Sequence, residues 1–217
     1  MTGAEIVRRL RKEYGPRRWR SGQDPVSSLI ATVLSQNTSD VNSHRAFAAL
    51  MERFGSWKSM AAADTAELAE TIRAGGLAEI KARRIKQILH EIRAARGSFD
   101  LGFLSELSLA EAKSWLRGLP GVGPKTAGCV LLFSLGRPAM PVDTHVYRVA
   151  RRLGLLDRRV SVEKAHDILE RMVPAKDVYE FHILMVEHGR RTCKAQRPRC
   201  AVCVLREACP SASSFAP

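Results

Sequence analysis

The 217-residue sequence lacks any apolar run of 18 or more residues, and its basic N-terminus is not followed by a continuous apolar stretch with a cleavage site. These absences argue against a membrane-spanning segment and a secretory signal. It also lacks a useful length of alternating apolar and polar residues, which argues against β-sheet. We therefore expect a soluble, all-α protein that stays in the cytoplasm and has room for one large or two modest domains.

Acidic residues are few relative to basic ones. The chain has 22 Asp and Glu against 35 Lys and Arg, which gives a net charge of +13 and a pI near 10.1. A charge excess of this size favours a polyanionic partner, and nucleic acid is the most common one. The alternative is a solvated basic surface with no partner.

Only five cysteines are present, and four of them lie close together near the C-terminus. Six, two and five residues separate the successive members of this group, which consists of Cys193, Cys200, Cys203 and Cys209. In a long basic chain without a leader, such a group indicates a metal site rather than disulfides. Four thiolates suit either a zinc ion or a 4Fe-4S cluster, and only one pair has the spacing typical of a zinc knuckle.

Helical periodicity and capping residues recur along the whole chain. The predicted helices are 4–14, 26–34, 41–54, 68–74, 81–93, 109–117, 126–135, 144–153, 161–172 and 178–189. Helix 81–93 is strongly basic, and its Lys and Arg residues, Lys81 among them, are predicted to face solvent or phosphate. Residues 136–138, Gly-Arg-Pro, are a candidate domain junction.

The stretch Leu119–Lys125 (LPGVGPK) is the most informative of the sequence. Gly121 and Gly123 can both adopt positive φ, which predicts a tight turn with outward-facing amides. Pro124 suits the first turn of the helix that follows, so Lys125 is placed at a helix N-terminus beside amides that can bind phosphate. A plain turn between two helices is the alternative interpretation.

Polar or exposed residues at three other places are candidates for a site. Asp143 is well placed to cap the helix that begins at Thr144, and this role would account for it without chemistry. Gln36 and Asn37 belong to a run of short polar side chains directly after a buried helix. Leu77 follows a Gly-Gly break and is predicted to be exposed.

The turn Leu-Pro-Gly-Val-Gly-x-Lys, the later Val-Asp-Thr-His at 142–145 and the cysteine spacing together resemble the endonuclease III family. These are DNA glycosylases of the helix-hairpin-helix and Gly-Pro-Asp superfamily. The resemblance, which runs from about Val26 to Cys209, implies an all-helical fold with a six-helix barrel domain at 23–137. It also implies an iron-sulfur cluster domain formed by 1–22 and 138–217, in which loop 193–209 holds a 4Fe-4S cluster through its four cysteines.

Individual positions match the family's motifs. Lys125 matches the catalytic lysine and Asp143 the catalytic aspartate, while Gly121 and Gly123 fall on the hairpin that holds DNA phosphate. Leu77 matches a leucine that wedges into the duplex. Gln36 and Asn37 stand where the family has a glutamine that fills the gap left by a flipped base, but Gln-Asn here replaces the usual Ala-Gln.

The resemblance implies a bifunctional DNA glycosylase/AP lyase of base excision repair. Such an enzyme removes damaged, oxidised pyrimidines and cleaves the strand by β-elimination. Its partner would be double-stranded DNA that contains damaged bases or abasic sites, bound by a monomer. The alternatives are a mismatch or uracil DNA glycosylase with weak lyase activity and a non-catalytic DNA-binding module.

Overall fold

The computed structural model of the chain describes residues 1–20 and 24–215. Within these residues all regular elements are helical and no strand is present, which confirms the all-α prediction. Two compact units can be distinguished in the described chain. Residues 24–135 form the first, called the hairpin unit, and residues 1–20 with 136–215 form the second, called the cysteine unit.

The helices follow the predicted order, and most of their ends lie within one residue of the predicted ones. In the described residues the α-helices are α1 Gly3–Tyr14, α2 Pro25–Leu34, α3 Asp40–Phe54, α4 Trp57–Ala62, α5 Thr65–Thr71, α6 Ala78–Arg96, α7 Leu109–Gly118, α8 Pro124–Cys129, α9 Thr144–Arg152, α10 Val162–Met172 and α11 Val178–Arg191. Helix α8 continues as a π-helical turn, Val130–Ser134. The short helix α4 was not predicted.

Side-chain caps explain where many of these helices begin. Asp24 accepts a hydrogen bond from the Ser27 amide and is followed by Pro25 in the first turn of α2. Ser108 and Glu111 form a reciprocal capping box at the start of α7. Helix α4 follows the same rule, because the Ser56 hydroxyl accepts from the Ser59 amide. Six residues are too few to show a helical period, so this cap is the only sequence signal for α4.

The core of the hairpin unit is built around α2. Its Val, Leu and Ile side chains are fully buried, and α2 packs against α3, α6, α8 and the π-helical turn. Burial of each Leu, Ile or Val side chain stabilises the fold by about 1.5–3 kcal/mol before the entropy cost. Helix α2 therefore fixes the positions of the loops that follow it and of the hairpin that packs on it.

The cysteine unit has its core between α11 and the two helices α1 and α9. Ile6, Leu10, Val146, Phe181 and Leu184 are fully buried in this unit. The last part of the unit, from Cys193 to Phe215, contains only short 3₁₀ turns as regular elements. No helix in the part of the chain that the structure describes is long and apolar enough to cross a membrane.

Candidate active site and nucleic-acid interface

The turn between α7 and α8 is a tight hairpin. The Val122 amide donates to the Leu119 carbonyl at 3.2 Å. The side chains of both residues are buried, and this burial anchors the turn in the core. Gly121 has φ +73°, a conformation that favours glycine. Gly123 has φ −91° and ψ −179°, which any residue can adopt. The prediction that both glycines take positive φ is therefore wrong for Gly123, because an extended residue already leads into Pro124.

Gly121 is also constrained by a neighbour. A Cβ atom at this position would lie 2.0 Å from Nε of Arg84, a residue of α6. The guanidinium of Arg84 therefore packs directly on the backbone of the turn. Glycine is therefore needed at position 121 for two physical reasons, which are its positive φ and the close approach of Arg84.

Lys125 is the second residue of α8 and is partly buried. It is followed by Thr126–Cys129, all buried, so the backbone that carries it is fixed by the core. Among the described residues none forms a hydrogen bond or ion pair with the Lys125 side chain. The hairpin thus presents a primary amine whose nitrogen is not engaged within the described part of the molecule.

Asp143 caps α9, as the alternative interpretation predicted. Its Oδ1 atom accepts a hydrogen bond from the Val146 amide at 2.7 Å, and the residue is half-buried. No described residue donates to the second carboxylate oxygen. One oxygen therefore fixes the carboxylate in place, and the other has no donor among the described residues.

Gln36 is tied to two other elements of the hairpin unit. Its Oε1 atom accepts from Nη1 of Arg84 at 2.7 Å. Its Nε2 atom donates to the Gly121 carbonyl at 3.3 Å and lies 3.5 Å from the Thr126 hydroxyl. Both ends of the Gln36 amide are thus occupied. Asn37 differs, because it is exposed and has φ +54°.

Leu77 stands at the start of α6 in the left-handed conformation, with φ +51°, and is 50% exposed. Ile80, one helical turn further, is 46% exposed. Residues three apart on a helix are neighbours on its surface. Leu77 is thus a large apolar side chain that is exposed, as the sequence predicted, in a backbone conformation that few residues other than glycine adopt.

The prediction that Lys81 faces solvent and contacts DNA is wrong. Only 1% of Lys81 is exposed, and its ammonium donates to the carbonyl of Leu34 at 2.7 Å and to that of Gly75 at 2.8 Å. Burial, together with the positive charge of Arg84, lowers the pKa of Lys81. A signal for this was present in the sequence, because Lys81 lies four residues before Ile85 on the apolar stripe of α6.

The four clustered cysteines line one cavity in the cysteine unit, and all are free thiols. Sγ of Cys203 lies 3.7 Å from Nε2 of His188, and Sγ of Cys193 accepts from Arg152 at 3.4 Å. Burial raises the pKa of Cys203 and of Cys209, and the negative charge of the neighbouring thiolates adds to the rise. Burial also lowers the pKa of His188 to about 4, so its ring is neutral at pH 7.

Comparison with known proteins identifies the family. Residues 30–175 match the model of the HhH-GPD superfamily base excision DNA repair protein. The chain belongs to this superfamily. It is 36% identical over 205 residues to an endonuclease III of Thermotoga maritima, with 94% of this chain and 91% of the relative covered. It is 33% identical over 185 residues to an endonuclease III of Sulfolobus acidocaldarius, with 84% of this chain and 80% of the relative covered.

A putative DNA glycosylase of Arabidopsis thaliana is 39% identical over 165 residues, which are 76% of this chain but only 56% of that protein. Among solved structures, a trapped covalent endonuclease III–DNA intermediate matches with a TM-score of 0.82 at 29% identity, covering 99% of this chain and 98% of that one. The fold of this HhH-GPD protein is therefore that of endonuclease III, as the sequence predicted.

The arrangement of the four cysteines in this HhH-GPD protein can be compared with what a zinc ion and a 4Fe-4S cluster each require. Four thiolates around one zinc ion must lie about 3.8 Å apart, since each Zn–S bond is about 2.3 Å. In residues 1–20 and 24–215 no group of three or more His, Cys, Asp or Glu is placed to hold a metal ion. A 4Fe-4S cluster takes one thiolate at each of four separate irons and accepts wider spacing. The four cysteines around one cavity match the number of thiolates that such a cluster takes.

Two arginines of α9, Arg148 and Arg152, have structural roles in the cysteine unit. Arg148 donates to the carbonyls of Gly189 and Cys193, at 2.8 Å and 3.1 Å. Arg152 donates to the carbonyls of Lys194 and Ala195, at 2.6 Å and 3.0 Å. Both arginines therefore hold the backbone where the cysteine loop begins. Their spacing of four residues, which places two side chains on one face of a helix, was the sequence signal for this shared role.

Proposed function

We propose that this protein removes damaged, oxidised pyrimidines from duplex DNA and then cleaves the strand at the resulting abasic site by β-elimination. In class it is a base excision repair DNA glycosylase with AP lyase activity, as its endonuclease III relatives indicate. The observation that carries the proposal is the Lys125 amine, held on a rigid hairpin with no partner among the described residues. We propose that the protein acts as a monomer.

In the proposed reaction the neutral amine of Lys125 attacks C1′ of the damaged nucleotide. The glycosidic bond breaks, and the base leaves with the electron pair and takes up a proton. The sugar opens and C1′ becomes a Schiff base with Lys125. Loss of a C2′ proton then expels the 3′ phosphate, and hydrolysis of the Schiff base releases the amine. Asp143 stabilises the positive charge that develops on the sugar and moves a proton.

The test of this function is a panel of duplexes, each with one lesion, scored separately for base release and strand cleavage. Thymine glycol, dihydrouracil, uracil and an abasic site are sufficient. We expect base release and cleavage to proceed together on the oxidised pyrimidines. Release of uracil without cleavage would favour the mismatch or uracil glycosylase. Binding without either reaction would favour the non-catalytic module.

We propose that Cys193, Cys200, Cys203 and Cys209 hold a 4Fe-4S cluster that ties down the loop from 193 to 209. When bound, the cluster supplies cross-links between four points of a segment that otherwise has only short 3₁₀ turns. The purified protein should be yellow-brown and contain about four irons per chain. Cys203→Ser should lower the iron content, whereas Cys129→Ala, at a buried cysteine of the other unit, should not. One zinc and no iron would overturn the proposal.

We propose that Leu77 is the apolar wedge that helps to extrude the damaged nucleotide. Leu77→Ala should slow base release from a paired lesion about tenfold, because extrusion costs a few kcal/mol that the wedge offsets. Affinity for an abasic site should change by less than about twofold, since no base remains to be unstacked. Val162→Ala, at another exposed apolar residue, is the matched control. Equal rates for Leu77→Ala and the parent protein would assign Leu77 no role in extrusion.

We propose that Asn37, and not Gln36, fills the gap left by the flipped base, since the Gln36 amide is occupied at both ends. Asn37→Gly should reduce base release with little change in melting temperature, because glycine adopts the φ of +54° without strain. Gln36→Ala should lower stability by about 1 kcal/mol through the lost hydrogen bonds. Single-turnover rates and thermal melting measure these effects. Loss of rate in Gln36→Ala at unchanged stability would reverse the assignment.

A further inference from the structure

An open groove of about 810 Å³ lies in the cysteine unit, and none of its described lining residues has been given a role above. It is formed by α1, by residues 16–19 that follow α1, and by residues 176–180 around the start of α11. Five of its lining residues are basic and only two are acidic. This excess of basic residues favours an anionic ligand.

Two of the basic residues are used to build the wall of the groove. Arg11 forms a bidentate pair with Glu180, with Nε–Oε1 and Nη2–Oε2 distances of 2.9 Å and 2.5 Å. The Arg17 backbone amide donates to Glu180 at 3.0 Å, and its guanidinium donates to Glu187 at 2.7 Å. These pairs hold the segment after α1 against α11 and so form one wall of the groove.

The other three basic residues are not neutralised in this way. Arg18 and Lys176 are exposed and form no ion pair with any described residue. Arg8 is 75% exposed and lies 3.9 Å from the Glu5 carboxylate, a contact that contributes little at the surface. Three cations therefore face the groove, with Asp177 as the one lining carboxylate outside the Arg11–Glu180 pair. Such an excess attracts phosphate groups.

Two aromatic side chains, Trp19 and Tyr179, line the same groove. The Trp19 ring packs on Gly136, where an added Cβ would lie 3.1 Å from Cζ2, and 37% of the residue is exposed. The indole ring is thus held against the backbone of Gly136, and part of its surface remains exposed. A rigid exposed ring beside several cations is the combination with which proteins bind single-stranded nucleic acid, because unpaired bases stack on the ring.

We propose that this groove is a second nucleic-acid site that binds undamaged single-stranded DNA. Arg8, Arg18 and Lys176 contact its phosphates, and a base stacks on Trp19. The site goes beyond the proposed function, since it requires no lesion and uses none of the residues assigned to base removal. It would keep the protein on DNA whose strands are already separated.

The test uses the whole protein and a fluorescein-labelled ten-nucleotide oligothymidylate, with binding followed by polarisation at several salt concentrations. The double variant Arg18→Glu, Lys176→Glu should bind at least tenfold more weakly, with a log-log salt slope reduced by about 1.4, as expected for two single-strand phosphate contacts. Trp19→Ala should weaken binding about fivefold or more and Trp19→Phe much less. The control is Arg158→Glu, Arg159→Glu, which changes the charge equally at exposed residues outside the groove.

A second measurement separates this site from the proposed function. Cleavage of a short duplex with one abasic site should be unchanged in the groove variants, and Lys125→Gln should still bind the oligothymidylate. Equal weakening by the groove and control variants would overturn the proposal, because only net charge would then matter. Parallel loss of duplex cleavage and single-strand binding would also overturn it and assign the groove to the duplex interface.

Discussion

Lys125→Gln should abolish strand cleavage and the covalent trapping of protein on DNA. Borohydride added during turnover reduces a Schiff base to a stable amine, so the parent protein should become crosslinked to a damaged duplex. An amide nitrogen cannot form that bond, and we expect cleavage to fall by at least about a thousandfold. The measurement is a denaturing gel of trapped complexes together with single-turnover cleavage rates.

The structure indicates that Lys125→Gln removes the amine without disturbing the fold of α8. Gln and Lys have similar helix propensities, and the residues that anchor α8 are the buried ones from Thr126 onward. We therefore expect unchanged melting and DNA affinity within a few fold. Lys164→Gln, at an exposed lysine of α10, removes the same charge and should leave trapping intact. Persistence of the crosslink in Lys125→Gln would transfer the role to another amine, with the N-terminus the first to test.

Asp143→Asn should reduce base release by about a hundredfold or more, the usual contribution of a positioned acid or base. Asn caps a helix as well as Asp does, so the Val146 amide keeps its partner and the melting temperature should not change. Trapping on a preformed abasic site should persist, because the aldehyde is already exposed. The measurement compares single-turnover base release on a lesion with borohydride trapping on an abasic duplex.

Asp143→Ala is the matching comparison, because it removes the cap as well as the charge. It should lower stability by about 1 kcal/mol in addition to slowing base release. If Asn restored the rate as well as the stability, Asp143 would be a helix cap and nothing more. The two variants therefore separate the two interpretations that the sequence left open.

Local signals in the sequence predicted the helices and the hairpin well. Caps such as Asp24 and Ser108 act through neighbours in the chain, so they can be read without a structure. The glycine turn and the capping role of Asp143 follow from the same local physics. The catalytic roles of Lys125 and Asp143 remain predictions, because they concern a reaction with a substrate.

The contacts that depend on distant residues could not be predicted. Arg84 reaches Gln36 and packs on Gly121, and neither contact has a signal in local spacing. Lys81 was assigned to solvent because of its charge, although its position on the apolar stripe indicated burial. A buried lysine is stable only where carbonyl acceptors are supplied by other segments, and their presence is a property of the tertiary structure.

The buried ammonium of Lys81 joins two segments that are far apart in sequence. It holds the carbonyl of Leu34, just before Gln36 and Asn37, and the carbonyl of Gly75, just before Leu77. Surface loops of this kind usually open and close independently, each with its own small free energy. Here the release of either carbonyl would leave a buried charge short of an acceptor. We therefore expect the two loops to open together, so that the polar and apolar side chains they carry keep a fixed relation to each other.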